Sequence, residues 1–273
     1  MSGNVTPSPT FVKRVINRVI REVHLLKHAP RLQVSSHHFK LVTLGTVYGG
    51  WTCIDVPELR KAQVVSCGLG EDGSFDVEFA RRYDAQVLVV DPTPRAIRHF
   101  NDIAARFGQA ATTSYSPTGQ QTATSYELTG VSPVNLKLYP KALWNESKRL
   151  RFYAPTNQAH VSHSITNFQN DYRTDTAHIE VDAVTIEVLM AENRLNSVQL
   201  MKLDIEGAEI EVLQDMMDKG VMPPQLLIEY DELNFPSPRS KERIESCHAL
   251  LLTRGYRLVN IHKPSNFLYT TLK

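Results

Sequence analysis

Residues 200–213 read LMKLDIEGAEIEVL, and this stretch indicates the fold more clearly than any other part of the chain. A short apolar run ends at Asp204, and Gly207 then precedes a segment with helical spacing. Because Lys202 and Asp204 alternate with apolar neighbours, we expect a buried strand whose last side chain on one face is Asp204. The stretch therefore predicts a strand-to-helix junction that carries a carboxylate.

The same arrangement recurs along the chain after about residue 60. The runs AQVVSCG at 62–68, AQVLVVD at 85–91 and PQLLIEY at 224–230 are apolar, and a segment with helical spacing follows each of them. Continuous apolar runs that alternate with helices indicate a parallel sheet covered on both faces. The final stretch, YRLVNIHKPSNFLYTTL at 256–272, predicts two strands joined by a turn at KPSN, which would insert one antiparallel strand. The sequence therefore predicts an α/β fold.

Composition divides the chain into three parts. Residues 1–10 are rich in Pro, Ser and Thr, and we expect them to be disordered. Residues 11–59 are predicted to form an N-terminal helix, up to about residue 28, and a lead-in segment. We expect residues 60–273 to form the main domain. Within it, ten of the 26 residues at 108–133 are Ser or Thr, which predicts a polar surface insertion.

Charge and cysteine content exclude several classes of protein. The 273-residue chain has a formal net charge of +1, which gives no electrostatic argument for a nucleic-acid partner. Its three cysteines are far apart and suggest no disulfide framework, so we expect a reducing compartment, the cytoplasm. No apolar run approaches the roughly 20 residues that span a bilayer. The N-terminal helix could mediate a homo-oligomer.

In parallel α/β sheets, ligands bind beyond the carboxyl ends of the strands. One such end carries G-x-G-x-x-G at Gly68, Gly70 and Gly73, and Asp91 ends the next strand 18 residues later. This is close to the spacing at which an acidic residue contacts the hydroxyls of a ribose. The pattern predicts a cofactor that contains adenosine. It does not distinguish a nicotinamide dinucleotide from S-adenosylmethionine.

The stretch MKLDIEGAEIEVL resembles the signature of the FkbM family of S-adenosylmethionine-dependent methyltransferases. The resemblance extends over roughly residues 60–273 and includes the DPTP turn, YPKALWNESKRLRFYAP, SHSITNF and PPQLLIEYDE. It implies a class I methyltransferase fold, a Rossmann-like sheet of seven strands with a reversed C-terminal strand. It also implies O-methylation of a hydroxyl on a small molecule or glycan. Where family members often carry an acidic residue and GAN, this chain has Ser66 and GLG.

Site residues follow from the strand ends and from this resemblance. We expect Asp204 to lie beside the transferred methyl group as a base or as an orienting group, with Glu206 and His163 as further catalytic candidates. The helix dipole suffices to explain Glu209. The residues expected to bind the cofactor are Cys67, Gly68, Gly70, Asp72, Asp91, Pro92, Thr93, Leu143 and Trp144. Of these, Asp91 would bind the ribose, whereas Leu143 and Trp144, at the end of the third strand, would pack on adenine.

Two other functions are compatible with the same patterns. The Gly-rich turn together with Asp91 would also suit an NAD(P)-dependent oxidoreductase. A non-catalytic binding module could keep the same fold. Asp204 and Glu206 could ligate Mg²⁺ or Ca²⁺, but no further ligand cluster accompanies them, so we expect no metal.

Overall fold

A sheet of seven strands forms the centre of the computed structural model, which describes residues 23, 25, 27–154, 164–165, 173, 175–234, 237–263 and 265–273. The strands are β1 (Leu41–Leu44), β2 (Trp51–Ile54), β3 (Gln63–Cys67), β4 (Gln86–Val90), β5 (Leu136–Tyr139), β6 (Ala142–Leu143), β7 (Lys148–Tyr153), β8 (His178–Val184), β9 (Leu200–Leu203), β10 (Gln225–Glu229), β11 (Arg257–His262) and β12 (Asn266–Thr270). The α-helices that follow β1 are α1 (Ser74–Tyr83), α2 (Pro94–Ala104), α3 (Ile186–Glu192), α4 (Glu209–Asp218) and α5 (Pro238–Thr253).

The order of the strands in the large sheet is β11-β12-β10-β9-β3-β4-β5. The five strands from β10 to β5 pair in parallel, whereas β12 is antiparallel to both of its neighbours. The chain therefore reverses one strand at its C-terminal hairpin. This confirms the predicted class I methyltransferase sheet.

Alternate residues of the central strands face two separate apolar clusters, one on each side of the sheet. On one face, Val65, Cys67 and Met201 pack with side chains from α3, α4 and α5. On the other, Val64 and Leu200 pack with side chains from α1, α2 and the first two strands. Both faces are thus covered, which explains why these strands are continuously apolar in sequence.

A hairpin of β1 and β2 lies within the segment that sequence reasoning treated only as a lead-in. Its strands pair antiparallel, from Leu41 opposite Ile54 to Leu44 opposite Trp51. The Gln225 side chain in β10 accepts a hydrogen bond from the backbone N–H of Ile54 (2.8 Å) and donates one to its carbonyl (3.1 Å). This pair of bonds fixes the hairpin against the large sheet.

A second sheet of three strands, in the order β6-β8-β7, stands beside the large one. Its longest strand, β8, includes the first four of residues 181–195, VDAVTIEVLMAENRL, a segment whose spacing predicts a helix over its whole length. Helix α3 begins only at Ile186, after Thr185, whose side chain accepts a hydrogen bond from Val188 N. The helical interpretation of the first four residues was therefore wrong, because Val181 and Ala183 pack in the small sheet.

The predicted disorder of residues 1–10 and most of the predicted N-terminal helix lie outside the described residues. Val23, Leu25, Lys27 and His28 do have helical conformation, and Leu25 packs against the apolar cluster that contains α4 and α5. Among the helices of the described part, none is long and apolar enough to cross a membrane.

Candidate active site

The register of the large sheet places three predicted site residues and one further acid in a row at its carboxyl edge. Leu203 pairs with Cys67 on one side and with Ile228 on the other, and Cys67 also pairs with Val90. One residue further along each strand, the row reads Glu229, Asp204, Gly68 and Asp91. We call these four residues the edge row. They bring together the acid of the opening motif and the acid expected to bind ribose, with the Gly-rich turn between them.

Two chain turns cross closely at the centre of the edge row. Gly68 has φ of 86°, and a Cβ built on it would collide with the carbonyl oxygen of Asp204. Gly70 also has a positive φ, 55°, but a Cβ there would meet no atom within 4 Å. The first glycine is therefore required by close backbone approach, whereas the second borders open space on the turn.

Asp91 organises the Gly-rich turn through both carboxylate oxygens. Its Oδ2 accepts hydrogen bonds from the backbone N–H groups of Leu69 (3.0 Å) and Gly70 (3.1 Å). Its Oδ1 accepts from the N–H (2.9 Å) and hydroxyl (2.7 Å) of Thr93. A carboxylate offers about four acceptor positions. Because the chain itself uses four, a ribose hydroxyl would have to share or replace one of these bonds.

Asp72 likewise connects several segments around the turn. It is 8% exposed, and its Oδ2 accepts hydrogen bonds from the Thr46 hydroxyl (2.7 Å) and from Gln121 Nε2 (3.2 Å). Its Oδ1 accepts from the backbone N–H of Ser74 (3.1 Å), near the start of α1. These contacts join the β1–β2 turn and the Ser/Thr-rich segment to the Gly-rich turn. We therefore assign Asp72 a role in shaping the site.

The Ser/Thr-rich segment 108–133 contributes buried side chains to this region. Tyr126 is fully buried, and its hydroxyl accepts a hydrogen bond from the backbone N–H of Gly73 (3.0 Å). The same hydroxyl lies 2.7 Å from Nε2 of His99. Burial lowers the pKa of His99, which favours the neutral ring. The segment thus supports the start of α1 from within the core.

Lys202 is a buried cation that sequence reasoning did not assign to the site. Its side chain is 4% exposed, and Nζ donates hydrogen bonds to the carbonyls of Cys67 and Gly68. Nζ also lies 3.5 Å from the Asp204 carboxylate and 5.3 Å from the centre of the Trp51 ring. Lys202 therefore connects the two turns that cross at Gly68.

The charge of Lys202 is balanced by acids on both of its sides. Burial acts to lower the pKa of Lys202, but the charges of Asp204 and Asp76 outweigh it and the pKa is raised. Burial raises the pKa of Asp76 to about 6, against the charge of Lys202. The strand alternation MKLD could have indicated Lys202, because it predicts that Lys202 and Asp204 share one face.

Glu229 completes the acidic end of the edge row. It ends β10 next to Asp204, and its Oε1 accepts a hydrogen bond from the hydroxyl of Ser265 (3.2 Å). Burial and the negative charge of Asp204 raise the pKa of Glu229 to about 7. Glu229 is therefore an acid that can gain or lose a proton near neutral pH.

The turn between β9 and α4 is held in shape by Glu209. Its carboxyl group accepts hydrogen bonds from the backbone N–H groups of Ile205 (2.8 Å) and Gly207 (3.1 Å). Glu206, between them, has φ of 55°, and its carbonyl accepts a hydrogen bond from the Ser164 hydroxyl (2.8 Å). Glu209 is fully buried, so the helix dipole alone does not explain it. It fixes a left-handed turn that orients Glu206 and Asp204.

Two surface turns meet above the carboxyl edge. In the β1–β2 turn, the carbonyl of Tyr48 accepts a hydrogen bond of 2.5 Å from Nζ of Lys263, which belongs to the β11–β12 turn. The ring of Tyr48 packs so closely on Gly119 that a Cβ there would collide with it. Desolvation and the charges of Asp204, Glu206 and Glu229 raise the pKa of the Tyr48 hydroxyl. We call Tyr48 and Lys263 the roof of the site.

The other predicted residues lie at different distances from the edge row. Cys67 is fully buried, and its carbonyl faces Lys202, so its thiol does not line the edge. Pro92 lies between Asp91 and Thr93 in the turn before α2. His163, the alternative base, lies outside the described residues.

Leu143 and Trp144 do not end the third strand of the large sheet, as sequence reasoning assumed. That strand, β5, ends at Tyr139, and Leu143 ends β6, which pairs with β8 in the small sheet. Trp144 donates its backbone N–H to Val184 (2.9 Å), while its buried indole Nε1 has no hydrogen-bond partner among the described residues. A role of these residues in adenine binding stays a prediction.

The edge row has the chemistry that a positively charged sulfur would need. Asp204 and Glu229 supply carboxylates at neighbouring strand ends, and the side chain of Asp204 is 34% exposed. Open space borders Gly70. These features fit S-adenosylmethionine, the cofactor that the sequence resemblance implies. Among the described residues, no three His, Cys, Asp or Glu side chains lie close enough together to hold a metal ion.

Two solved structures are similar to the chain. Both are of a mutant 16S rRNA (adenine(1408)-N(1))-methyltransferase from Catenulisporales acidiphilia, and one of them contains the cosubstrate SAM. They are 13% and 14% identical, cover 84% of this chain and 96% of that chain, and have a TM-score of 0.33. At this level the similarity carries no information about substrate.

No curated protein matches the chain. The family model described as the methyltransferase FkbM domain matches residues 63–258, which include β3 to β10, all four residues of the edge row and the first two residues of β11. The chain belongs to the FkbM methyltransferase family.

Proposed function

We propose that this protein is an S-adenosylmethionine-dependent O-methyltransferase that acts on a hydroxyl group of a small molecule or glycan. The observation that carries the proposal is the edge row, in which Asp204 lies between Glu229 and the Gly-rich turn at the carboxyl edge of the sheet. Membership of the FkbM family supports methyl transfer. The choice of a hydroxyl acceptor rests on the carboxylates, since an alcohol needs a base.

When bound, S-adenosylmethionine would supply an electrophilic methyl group on a positively charged sulfur. The chain's own residues would then perform three tasks. Lys202 fixes the crossing of the two turns, Asp91 fixes the Gly-rich turn, and Asp204 presents negative charge. Fixed charges in a preformed site need no reorganisation during the reaction, which is the main source of electrostatic catalysis.

The acceptor must reach the methyl group in line with the bond that breaks, at about 3–3.5 Å. We infer that it enters beneath the roof formed by Tyr48 and Lys263, because these residues lie over the acidic end of the row. The formal net charge of +1 supports a small acceptor over nucleic acid.

Calorimetric titration with S-adenosylmethionine, S-adenosylhomocysteine and NADH tests the cofactor. We expect the two sulfur compounds to bind and NADH not to bind; binding of NADH alone would favour an oxidoreductase. A screen of hydroxylated acceptors with a radiolabelled methyl donor then tests the reaction. Cofactor binding without transfer to any acceptor would favour a non-catalytic module. Asp204→Asn tests the role of this carboxylate: it should abolish transfer without unfolding the protein.

A further inference from the structure

The two acids at the end of the edge row have different surroundings. Asp204 has a cation partner, since its carboxylate lies 3.5 Å from Nζ of Lys202. Glu229 accepts a hydrogen bond from a neutral group, the hydroxyl of Ser265. Pairs of carboxylates in unlike environments commonly divide the work of a reaction, one remaining charged while the other exchanges a proton.

Charged groups from β9, from the segment after β10 and from the β11–β12 turn act on Glu229. Asp204 follows β9, Asp231 follows β10 itself, and both disfavour a second negative charge. Lys202 from β9 and Lys263 from the β11–β12 turn act in the opposite direction. The Tyr48 hydroxyl also lies within the field of Glu229. Together with burial, this set leaves the pKa of Glu229 raised to about 7.

The position of Glu229 suits contact with an acceptor more than contact with the Gly-rich turn. In the edge row, Asp204 separates Glu229 from Gly68, so Glu229 is the member furthest from the expected adenosine contacts. On its other side, Glu229 pairs with Asn266 of β12, directly after the turn that carries Lys263. The roof therefore lies on the Glu229 side of the row.

We propose that Glu229 is the general base of the reaction and takes the proton of the acceptor hydroxyl, while Asp204, paired with Lys202, keeps its negative charge beside the sulfur. This inference rests on the proposed function and assigns a role that sequence reasoning had given to Asp204, Glu206 or His163.

The bonds and protons balance in a single displacement. The acceptor oxygen forms a bond to the methyl carbon as the bond from that carbon to sulfur breaks, and the electron pair of the broken bond stays on sulfur. The acceptor proton passes to the Glu229 carboxylate. The products are a methyl ether and a neutral thioether, and Glu229 returns its proton to water before the next cycle.

Proton release on binding tests this assignment without turnover. A sulfonium cation beside a partly protonated Glu229 favours its ionised form, so binding of S-adenosylmethionine at pH 7 should release a fraction of a proton. Neutral S-adenosylhomocysteine should release less. Titration calorimetry in phosphate and in Tris, which differ in ionisation enthalpy, measures the difference. Glu229→Gln should remove that difference, and its persistence in the variant would overturn the proposal.

The pH dependence of turnover provides the second readout. With an acceptor that the wild type methylates, the rate at saturation should rise through about pH 7, and Glu229→Gln should lower it about 10²–10⁴-fold and remove that rise. Glu229→Asp should restore part of the rate. Glu187→Gln, on the exposed side of α3, is the matched control and should behave as the wild type. Thermal unfolding checks that each variant is folded.

The outcomes separate this inference from the proposed function. If the wild type binds both sulfur compounds and transfers methyl groups while Glu229→Gln keeps the rate and its pH dependence, only the assignment of Glu229 fails. If the wild type binds neither compound, both fail.

Discussion

Gly68 and the carbonyl oxygen of Asp204 lie so close together that no side chain fits at position 68. This contact joins the turn after β3 to the turn after β9, and Lys202 strengthens it by donating to the carbonyl of Gly68. The two turns carry the Gly-rich motif and the acidic motif. The site therefore depends on a backbone crossing as much as on its charged side chains.

Gly68→Ala should damage the protein far more than Gly70→Ala. Both glycines have positive φ, which costs a substituted residue about 1 kcal/mol or more, but only at position 68 does the new Cβ collide with backbone. We expect a loss of more than about 3 kcal/mol in the free energy of unfolding for Gly68→Ala and about 1 kcal/mol for Gly70→Ala. Urea denaturation measures both. Equal losses would show that the crossing is not rigid.

Lys202→Met should weaken both stability and cofactor binding. The substitution leaves the Cys67 and Gly68 carbonyls without their donor and Asp204 without its cation partner. Loss of one partner from a buried polar network typically costs about 3 kcal/mol or more.

The matched control is Lys141→Met, which removes a more exposed ion pair with Glu192. A pair of that kind contributes at most about 1 kcal/mol. Chemical denaturation and calorimetry with S-adenosylhomocysteine measure the two effects. A Lys202→Met protein with wild-type affinity would contradict the role assigned to this lysine.

Asp91→Ala should loosen the Gly-rich turn. It removes an acceptor from four hydrogen bonds and leaves the buried N–H of Leu69 unpaired, at a cost of about 2–4 kcal/mol. Thr93→Val removes only one of the four bonds and should cost about 1 kcal/mol. Hydrogen exchange at the amides of Leu69 and Gly70 reports the loosening. Unchanged protection in Asp91→Ala would refute the organising role of this carboxylate.

Glu209 should make stability fall as pH rises. Burial and the charges of Glu232 and Asp231 raise the pKa of Glu209 well above its ordinary value. Above about pH 4.3 the unfolded chain releases this proton while the native protein retains it, so stability is lost until the native pKa is passed. Asp76, with a pKa raised to about 6, contributes with the same sign over a narrower range.

In Glu209→Gln this proton is absent, so the variant should lose less stability than the wild type between pH 5 and pH 8. Denaturation at both values measures the change, with Glu187→Gln on the exposed surface as the control. The same decrease in Glu209→Gln and in the wild type would contradict the prediction.

The sequence predicted β3, β4, β9 and β10 well because each is a largely apolar run that ends at Gly, Asp or Glu. The runs at β3, β4, β9 and β10 are buried on both faces, and such runs are difficult to mistake for loops. The C-terminal hairpin was predicted from its turn residues. Asp91 and Asp204 of the edge row were found because they follow these runs directly.

Features that depend on contacts between distant segments escaped prediction. The β1–β2 hairpin is short, and its position depends on Gln225, 171 residues away from Ile54. Glu209 is buried and caps the β9–α4 turn. The sequence does not reveal this role, because a glutamate in the first turn of a helix is equally expected when it is exposed to solvent. The four partners of Asp91 are likewise known only once the turn is folded.

The most direct test of the central claim is a crystal structure with S-adenosylhomocysteine bound. We predict that the compound lies along the edge row, with its sulfur nearest Asp204 and Glu229 and its adenosine towards Gly70 and Asp91. A well-ordered ligand bound away from these four residues, or an edge row that stays empty at saturating concentration, would refute this assignment of the cofactor site.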